Sequence, residues 1–239
     1  MSAPPHSPAP LTTIGFDADD TLWQNEQFFR LTEARFADLL RPFAPDIDIE
    51  GRLLEAERRN LAQYGFGIKG FVLSMIETAI ELTEGRVPAS IIGELLEAGR
   101  EMLRHPVHAL PYARETLEAL HGQYRLVLIT KGDLFDQERK LAASGLGEFF
   151  DAVEIVSDKT ADTYGRIFTR HGDGPARSMM VGNSLKSDVI PAIDAGAWGI
   201  FVPHPLTWVL EHADEPEASP RFRKIADLGD LPGLIASLA

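Results

Sequence analysis

Leu11 to Phe16 is a short, apolar, β-branched run bounded by turn residues, and it stops abruptly at Asp17-Ala18-Asp19-Asp20-Thr21. A run of that length and composition predicts a buried strand. The acidic cluster behind it cannot stay inside a core unpaired. From Glu26 to about Arg104 the apolar positions fall at helical spacing instead. Phe28, Phe29, Leu31, Phe36, Leu39 and Leu40 mark one amphipathic segment, and Leu53, Leu54 and Leu61 a second. Ile68 to Leu82 is a third, and Pro88 to Leu103 a fourth, with Pro88 near its start. Tyr64-Gly65-Phe66-Gly67 separates the second from the third. The pattern predicts four helices inserted after the first strand.

Beyond them strands and helices alternate. Pro111 opens a helix through Leu120, and Arg125 to Ile129 is a strand ending at Thr130-Lys131-Gly132. A helix covers about Leu134 to Ser144, closed by Gly145. Val153 to Val156 is a strand ending at Ser157-Asp158-Lys159, followed by a helix to about Arg170. Ser178 to Val181 is a strand ending in Gly182-Asn183-Ser184; a helix to about Ala195 and a strand from Gly199 to Val202 complete the series. This grammar predicts a Rossmann-like three-layer α/β core with a mostly parallel sheet and helices on both faces. Residues 11–24 and 108–239 would form the core, and 25–107 an inserted all-helical subdomain. Residues 1–10, rich in proline, read as a disordered lead-in, and the polar stretch from Glu211 to Pro220 as a surface loop.

Composition narrows the chemistry. The chain has 239 residues, 44% hydrophobic and 25% charged, long enough to bury a core. Its formal net charge of -13 would repel polyanions, which argues against a nucleic-acid or acidic-membrane partner. A small phosphorylated substrate stays compatible, because a pocket built on a divalent cation and a lysine is locally positive. The absence of cysteine excludes disulfides, thiolate metal sites and cysteine catalysis. Met1 to Pro10 has no apolar core, so it is read as neither a signal peptide nor an anchor, and a cytoplasmic location is expected.

Four strand ends carry polar clusters: Asp17 with Asp19, Thr130, Lys159, and Asn183 with Asp188. In an open parallel sheet the strands' carboxyl ends line one edge, where ligands bind. Carboxylates, an amide, a hydroxyl and an ammonium are the parts needed to hold a phosphoryl group beside a hard cation. A carboxylate that attacks phosphorus forms an aspartyl-phosphate and splits a very slow hydrolysis into two easier steps. Residues two apart in an extended segment point the same way, so Asp17 and Asp19 can share one site. One can attack while the other protonates the leaving oxygen and then activates water. Oxygen-bound Mg²⁺ and Lys159 would offset the repulsion between anions.

These residues resemble the haloacid dehalogenase superfamily, and the resemblance runs over the whole chain after the lead-in. Phe16-Asp17-Ala18-Asp19-Asp20-Thr21-Leu22 is similar to the family's first motif, which implies Asp17 as nucleophile and Asp19 as acid/base. Thr130 resembles the second-motif hydroxyl and Lys159 the third-motif lysine, both implied phosphoryl binders. Gly182-Asn183-Ser184-Leu185-Lys186-Ser187-Asp188 resembles the fourth motif, which implies a Mg²⁺ set of Asp17, the Asp19 backbone carbonyl, Asn183 and Asp188. The helical insertion resembles the family's cap over the substrate. Asn183 departs from the pattern, which usually has Asp there; its amide oxygen coordinates without charge, so the resemblance implies weaker metal affinity with Asp188 carrying more of it. The implied activity is a Mg²⁺-dependent phosphatase acting on a small phosphorylated metabolite; the sequence leaves monomer and homodimer equally open.

Plainer roles stand beside these. Asp20 and Thr21 suit a helix N-cap, Asp188 a first-turn acid, and Asn183 a turn residue next to Gly182. Lys131 either contacts substrate or is solvated. Tyr64, Phe66 and Lys69 surround a glycine-bearing break that would overhang the site, which makes Lys69 a candidate for specificity. A phosphomutase would use the same residues while excluding water. A dehalogenase needs no acid two residues after its nucleophile, so Asp19 argues against one. A phospho-accepting signalling module, or a regulatory protein that has lost turnover, is the non-enzymatic alternative.

Overall fold

The computed structural model describes residues 10–238. Residues 1–9, most of the expected lead-in, lie outside the described residues. The chain divides into two compact units: Met1–Gln24, His108–Thr130 and Ser144–Ala239 form one, and Asn25–Val107 with Lys131–Ala143 the other.

The first unit is built on a six-stranded parallel sheet. Its strands are β1 (Thr13–Phe16), β2 (Arg125–Lys131), β3 (Ala152–Val156), β4 (Ser178–Gly182), β5 (Trp198–Phe201) and β6 (Phe222–Lys224). They lie in the order β3-β2-β1-β4-β5-β6. Register places Phe16 opposite Leu128 on one side and Val181 on the other. The strand order reverses between β1 and β4, and the carboxyl ends flanking such a switch point form the crevice where α/β sheets bind ligands. β1 is buried at all four residues and β4 at all five, which is why neither shows the apolar/polar alternation of a half-exposed strand.

In this unit helices α5 (Ala113–Leu120), α7 (Ala161–His171), α8 (Ile190–Asp194) and α9 (Leu231–Leu238) accompany the sheet. Val127 and Ile129 of β2 and Met180 of β4 pack with Tyr164, Ile167 and Phe168 of α7 and with Ala192 of α8. Strand alternation sends Leu126 and Leu128, also buried, to the opposite face. The helix expected up to Ala195 begins instead as a π-helical turn, Leu185–Val189, and becomes regular only at Ile190. Pro191, with no backbone N–H to donate, stands at the start of the regular part.

The second unit contains α1 (Glu26–Leu40), α2 (Ile49–Tyr64), α3 (Ile68–Leu82) and α4 (Ala89–Arg104), together with 131–143, which carry most of α6 (Leu134–Ser144). The expected four helices are present, and the third has the predicted bounds. Phe36, Leu40, Leu53, Phe71, Met75, Leu95 and Met102 form their common core. Asp48 caps α2 by accepting from the Gly51 N–H at 2.9 Å. Gly65 at φ 70° and Gly67 at φ 114° make the break before α3. Among the described residues no helix is long and apolar enough to cross a membrane.

Candidate active site

The chain leaving β1 does not enter a helix. The Ala18 carbonyl accepts from the N–H groups of Leu22 at 2.8 Å and of Thr21 and Trp23 at 3.3 Å, and the Asp20 N–H donates to Trp23 O at 2.7 Å. Asp20 sits at φ 59°, a left-handed conformation that Asp tolerates better than most side chains. This tight loop corrects the N-cap reading of Asp20 and Thr21, because α1 begins only at Glu26. The Thr21 hydroxyl instead lies 3.0 Å from Asp17 Oδ2 and 3.3 Å from Asn183 Oδ1, and accepts from the Asn183 N–H at 3.0 Å. One side chain thus links the ends of β1 and β4. His204 Nδ1 approaches Asp20 Oδ1 at 3.8 Å.

Three charged side chains meet at the centre. The Lys159 ammonium contacts Asp17 Oδ1 and donates to Asp188 Oδ1 at 2.7 Å. Lys159 is 4% exposed, Asp17 7% and Asp188 1%. Lys159 is therefore no surface lysine, and Asp188 no solvated first-turn acid. Asp188 Oδ2 accepts from the Ser184 N–H at 2.9 Å, which fixes the carboxylate at both ends. Asp19 is aimed separately, accepting from the Trp23 indole N–H at 2.7 Å.

The electrostatics follow from two buried carboxylates sharing one ammonium. Burial, and then the negative charge of Asp188, push the Asp17 carboxyl up to about 7, although Lys159 pulls the other way. Burial alone would lower Lys159; the charges of Asp17 and Asp188 and their hydrogen bonds reverse this and hold it above the usual lysine range. Burial, followed by the charges of Asp188 and Asp17, raises Tyr164 far above an ordinary phenol. Tyr164 thus keeps its proton and donates it to Ser187 O at 2.9 Å.

Thr130 is buried in β2. Register pairs Phe16 with Leu128, so Thr130 lies two residues beyond, toward the end where Asp17 to Asp19 leave β1. Lys69 and Lys131 belong to the helical unit. There Lys69 pairs with Asp133 at 2.9 Å, and Lys131 Nζ lies 4.0 Å above the Phe66 ring.

The donor set at the sheet edge suits a hard divalent cation. All its ligand atoms are oxygens, and its two buried carboxylates exceed the single ammonium in charge. Among the described residues no group of three or more His, Cys, Asp or Glu side chains is placed to hold a metal.

Several contributors escaped the sequence reading: Thr21 as a link between strands, Trp23 as the partner of Asp19, Tyr164 beneath the π turn, and Glu211. Only Thr21 left a usable signal, as a hydroxyl four residues after Asp17. Trp23 lies only four residues from Asp19 but reads as an ordinary apolar residue, and Tyr164 and Glu211 reach the turn across 23 and 27 residues, which no local pattern encodes.

The model of the haloacid dehalogenase-like hydrolases matches residues 11–196. The chain is 28% identical to the glyceraldehyde 3-phosphate phosphatase of Methanothermobacter thermautotrophicus, over 82% of this chain and 88% of that protein. It is 25% identical to the pyrimidine 5'-nucleotidase YjjG of Escherichia coli, over 93% of this chain and 96% of that protein. A crystal structure of a haloacid dehalogenase-like family hydrolase from Xanthomonas campestris superposes with a TM-score of 0.85 at 43% identity, covering 95% of this chain and 91% of that one. With the Asp17 loop, the buried lysine and the acidic turn each following its expected strand, this chain belongs to the haloacid dehalogenase-like hydrolase family.

Proposed function

We propose that this hydrolase is a Mg²⁺-dependent phosphatase of small phosphate monoesters that works through an aspartyl-phosphate on Asp17. The observation that carries the reading is the buried Asp17–Lys159–Asp188 cluster with Asp19 held two residues away on an indole N–H. Lys159 orients Asp17 and offsets the charge of an arriving phosphoryl group. An Asp17 oxygen attacks phosphorus as the bond to the leaving oxygen breaks, and Asp19 gives that oxygen a proton. Asp19 then takes a proton from water, whose oxygen attacks phosphorus, breaks the acyl-phosphate bond and frees both phosphate and Asp17. Thr130 would bind the phosphoryl group beside them. Asp17, the Asp19 backbone carbonyl, Asn183 and Asp188 would hold Mg²⁺, which neutralises charge on the phosphoryl oxygens when bound.

Two curated relatives named as phosphatase and nucleotidase support a phosphorylated substrate over a halogenated one. Asp19 adds to that support, since halide displacement needs no acid at this position. Lys69 and Lys131, on the helical unit, are proposed contacts to the substrate's remaining polar groups. The test is phosphate release from an aryl phosphate with Mg²⁺, comparing wild type with Asp17→Asn. Metal-dependent release that disappears in the variant is expected. Release that persists in Asp17→Asn would remove the nucleophile assignment.

A further inference from the structure

We infer that Glu211 is a positioning residue for the metal-binding end of this site, acting through Ser184 and Ser187 on Asp188; the inference rests on the phosphatase reading above. Glu211 closes a short 3-10 turn, Val209–Glu211, at the start of the polar stretch expected to be only a surface loop. Its Oε2 accepts from the Ser184 hydroxyl at 2.6 Å and from the Ser187 hydroxyl as well. Lys186 reinforces the clasp by donating to the Leu210 carbonyl at 2.8 Å.

The two serines occupy the turn that presents Asp188. Ser184 donates its N–H to Asp188 Oδ2, and its hydroxyl accepts from the Ser187 N–H at 3.0 Å. Ser187 offers its carbonyl to Tyr164, whose hydroxyl also lies 3.5 Å from Asp188 Oδ1. Both serines are buried, and once they donate to Glu211 their hydroxyls cannot rotate toward other acceptors. The π-helical turn Leu185–Val189 is a non-standard backbone held at one end by this carboxylate. Glu211 acts on Asp188 through these two serines. Its effect is to hold the turn in the one arrangement that aims Asp188 at Lys159 and the metal.

A positioning role and a mere structural clasp differ in what they change. Mg²⁺ affinity is measured by titration calorimetry on wild type, Glu211→Gln and Glu211→Ala, with kinetics at saturating Mg²⁺. Glu211→Ala is expected to weaken Mg²⁺ binding roughly 10- to 100-fold, the usual effect of losing a group behind the ligands. Its KM for the aryl phosphate should stay near the wild-type value. Glu211→Gln, which still accepts from both hydroxyls, should recover most of the affinity. A Glu211→Ala protein that melts earlier yet binds Mg²⁺ as tightly as wild type would overturn the inference. If Glu211→Ala does not fold, Ser187→Ala decides: it keeps the backbone cap and removes one donor, and unchanged Mg²⁺ affinity in it would overturn the inference equally. Wild type that neither binds Mg²⁺ nor releases phosphate brings down the underlying reading, and this inference with it; that failure is visible before any variant is made.

Discussion

The Trp23 indole N–H donates to Asp19 Oδ1 at 2.7 Å, and Trp23 is fully buried. Four residues apart in the chain, the two are brought face to face by the loop around the Ala18 carbonyl. The indole thus sets the direction of the carboxylate proposed to protonate the leaving group.

Trp23→Phe keeps a buried ring and removes the donor. A hydrogen bond to a charged acceptor contributes about 1.5–3 kcal/mol, only part of which bears on the transition state. We expect kcat for aryl phosphate hydrolysis to fall roughly tenfold with KM little changed. Steady-state kinetics check this; an unaltered kcat would mean that Asp19 does not depend on the indole.

Glu57 on α2 supplies a test of pH-dependent stability away from the site. Burial, then the charges of Glu33 and Glu26, push its carboxyl from 4.5 up to about 8 despite Arg30 nearby. Among the described residues its Oε2 has no hydrogen-bond partner. A carboxyl raised in the folded state binds a proton that the unfolded chain has already released. Its contribution is therefore full below about pH 4.5 and is lost as pH rises through about 8. Glu57→Gln should leave the urea midpoint nearly unchanged at pH 4.5 and raise stability at pH 8.5 by roughly 1–3 kcal/mol. Equal shifts at both pH values would show that burial of the charge is not the cause.

Gly182 ends β4 directly before Asn183, and a Cβ there would lie 2.2 Å from Asp188 Oδ2. No side chain is compatible with the observed Asp188 position. Gly182→Ala should keep its secondary structure, because the clash is with one residue, Asp188, but lose activity by about 100-fold through displacement of this proposed metal ligand. Phosphate release alongside circular dichroism separates the two effects. A folded variant with wild-type turnover would show that Asp188 can act from elsewhere.

The elements legible in the sequence were those with long, uniform burial. α3 is apolar enough that its bounds were read correctly from periodicity, and β1 and β4, buried on both faces, appeared as runs without apolar/polar alternation. β6 was missed because it is three residues, Phe222–Lys224, two of them charged. Parallel pairing with β5 makes it a strand where local propensity does not. α9, Leu231–Leu238, was passed over at the chain's end.

At the site the sequence alone determined which chemical groups are present and that each follows a strand, because buried parallel strands announce themselves and an acidic or basic residue at their ends has no packing role. The tertiary structure decided which of those groups meet. It joined Lys159 to Asp17 and to Asp188, residues 142 and 29 positions away in the chain. It made Thr21 a link from β1 to β4, and turned a polar loop residue, Glu211, into the support of the turn that carries Asp188. Such meetings depend on strand order and on the paths of the connecting loops. Those are set by packing over the whole unit, and local residue patterns carry no record of them.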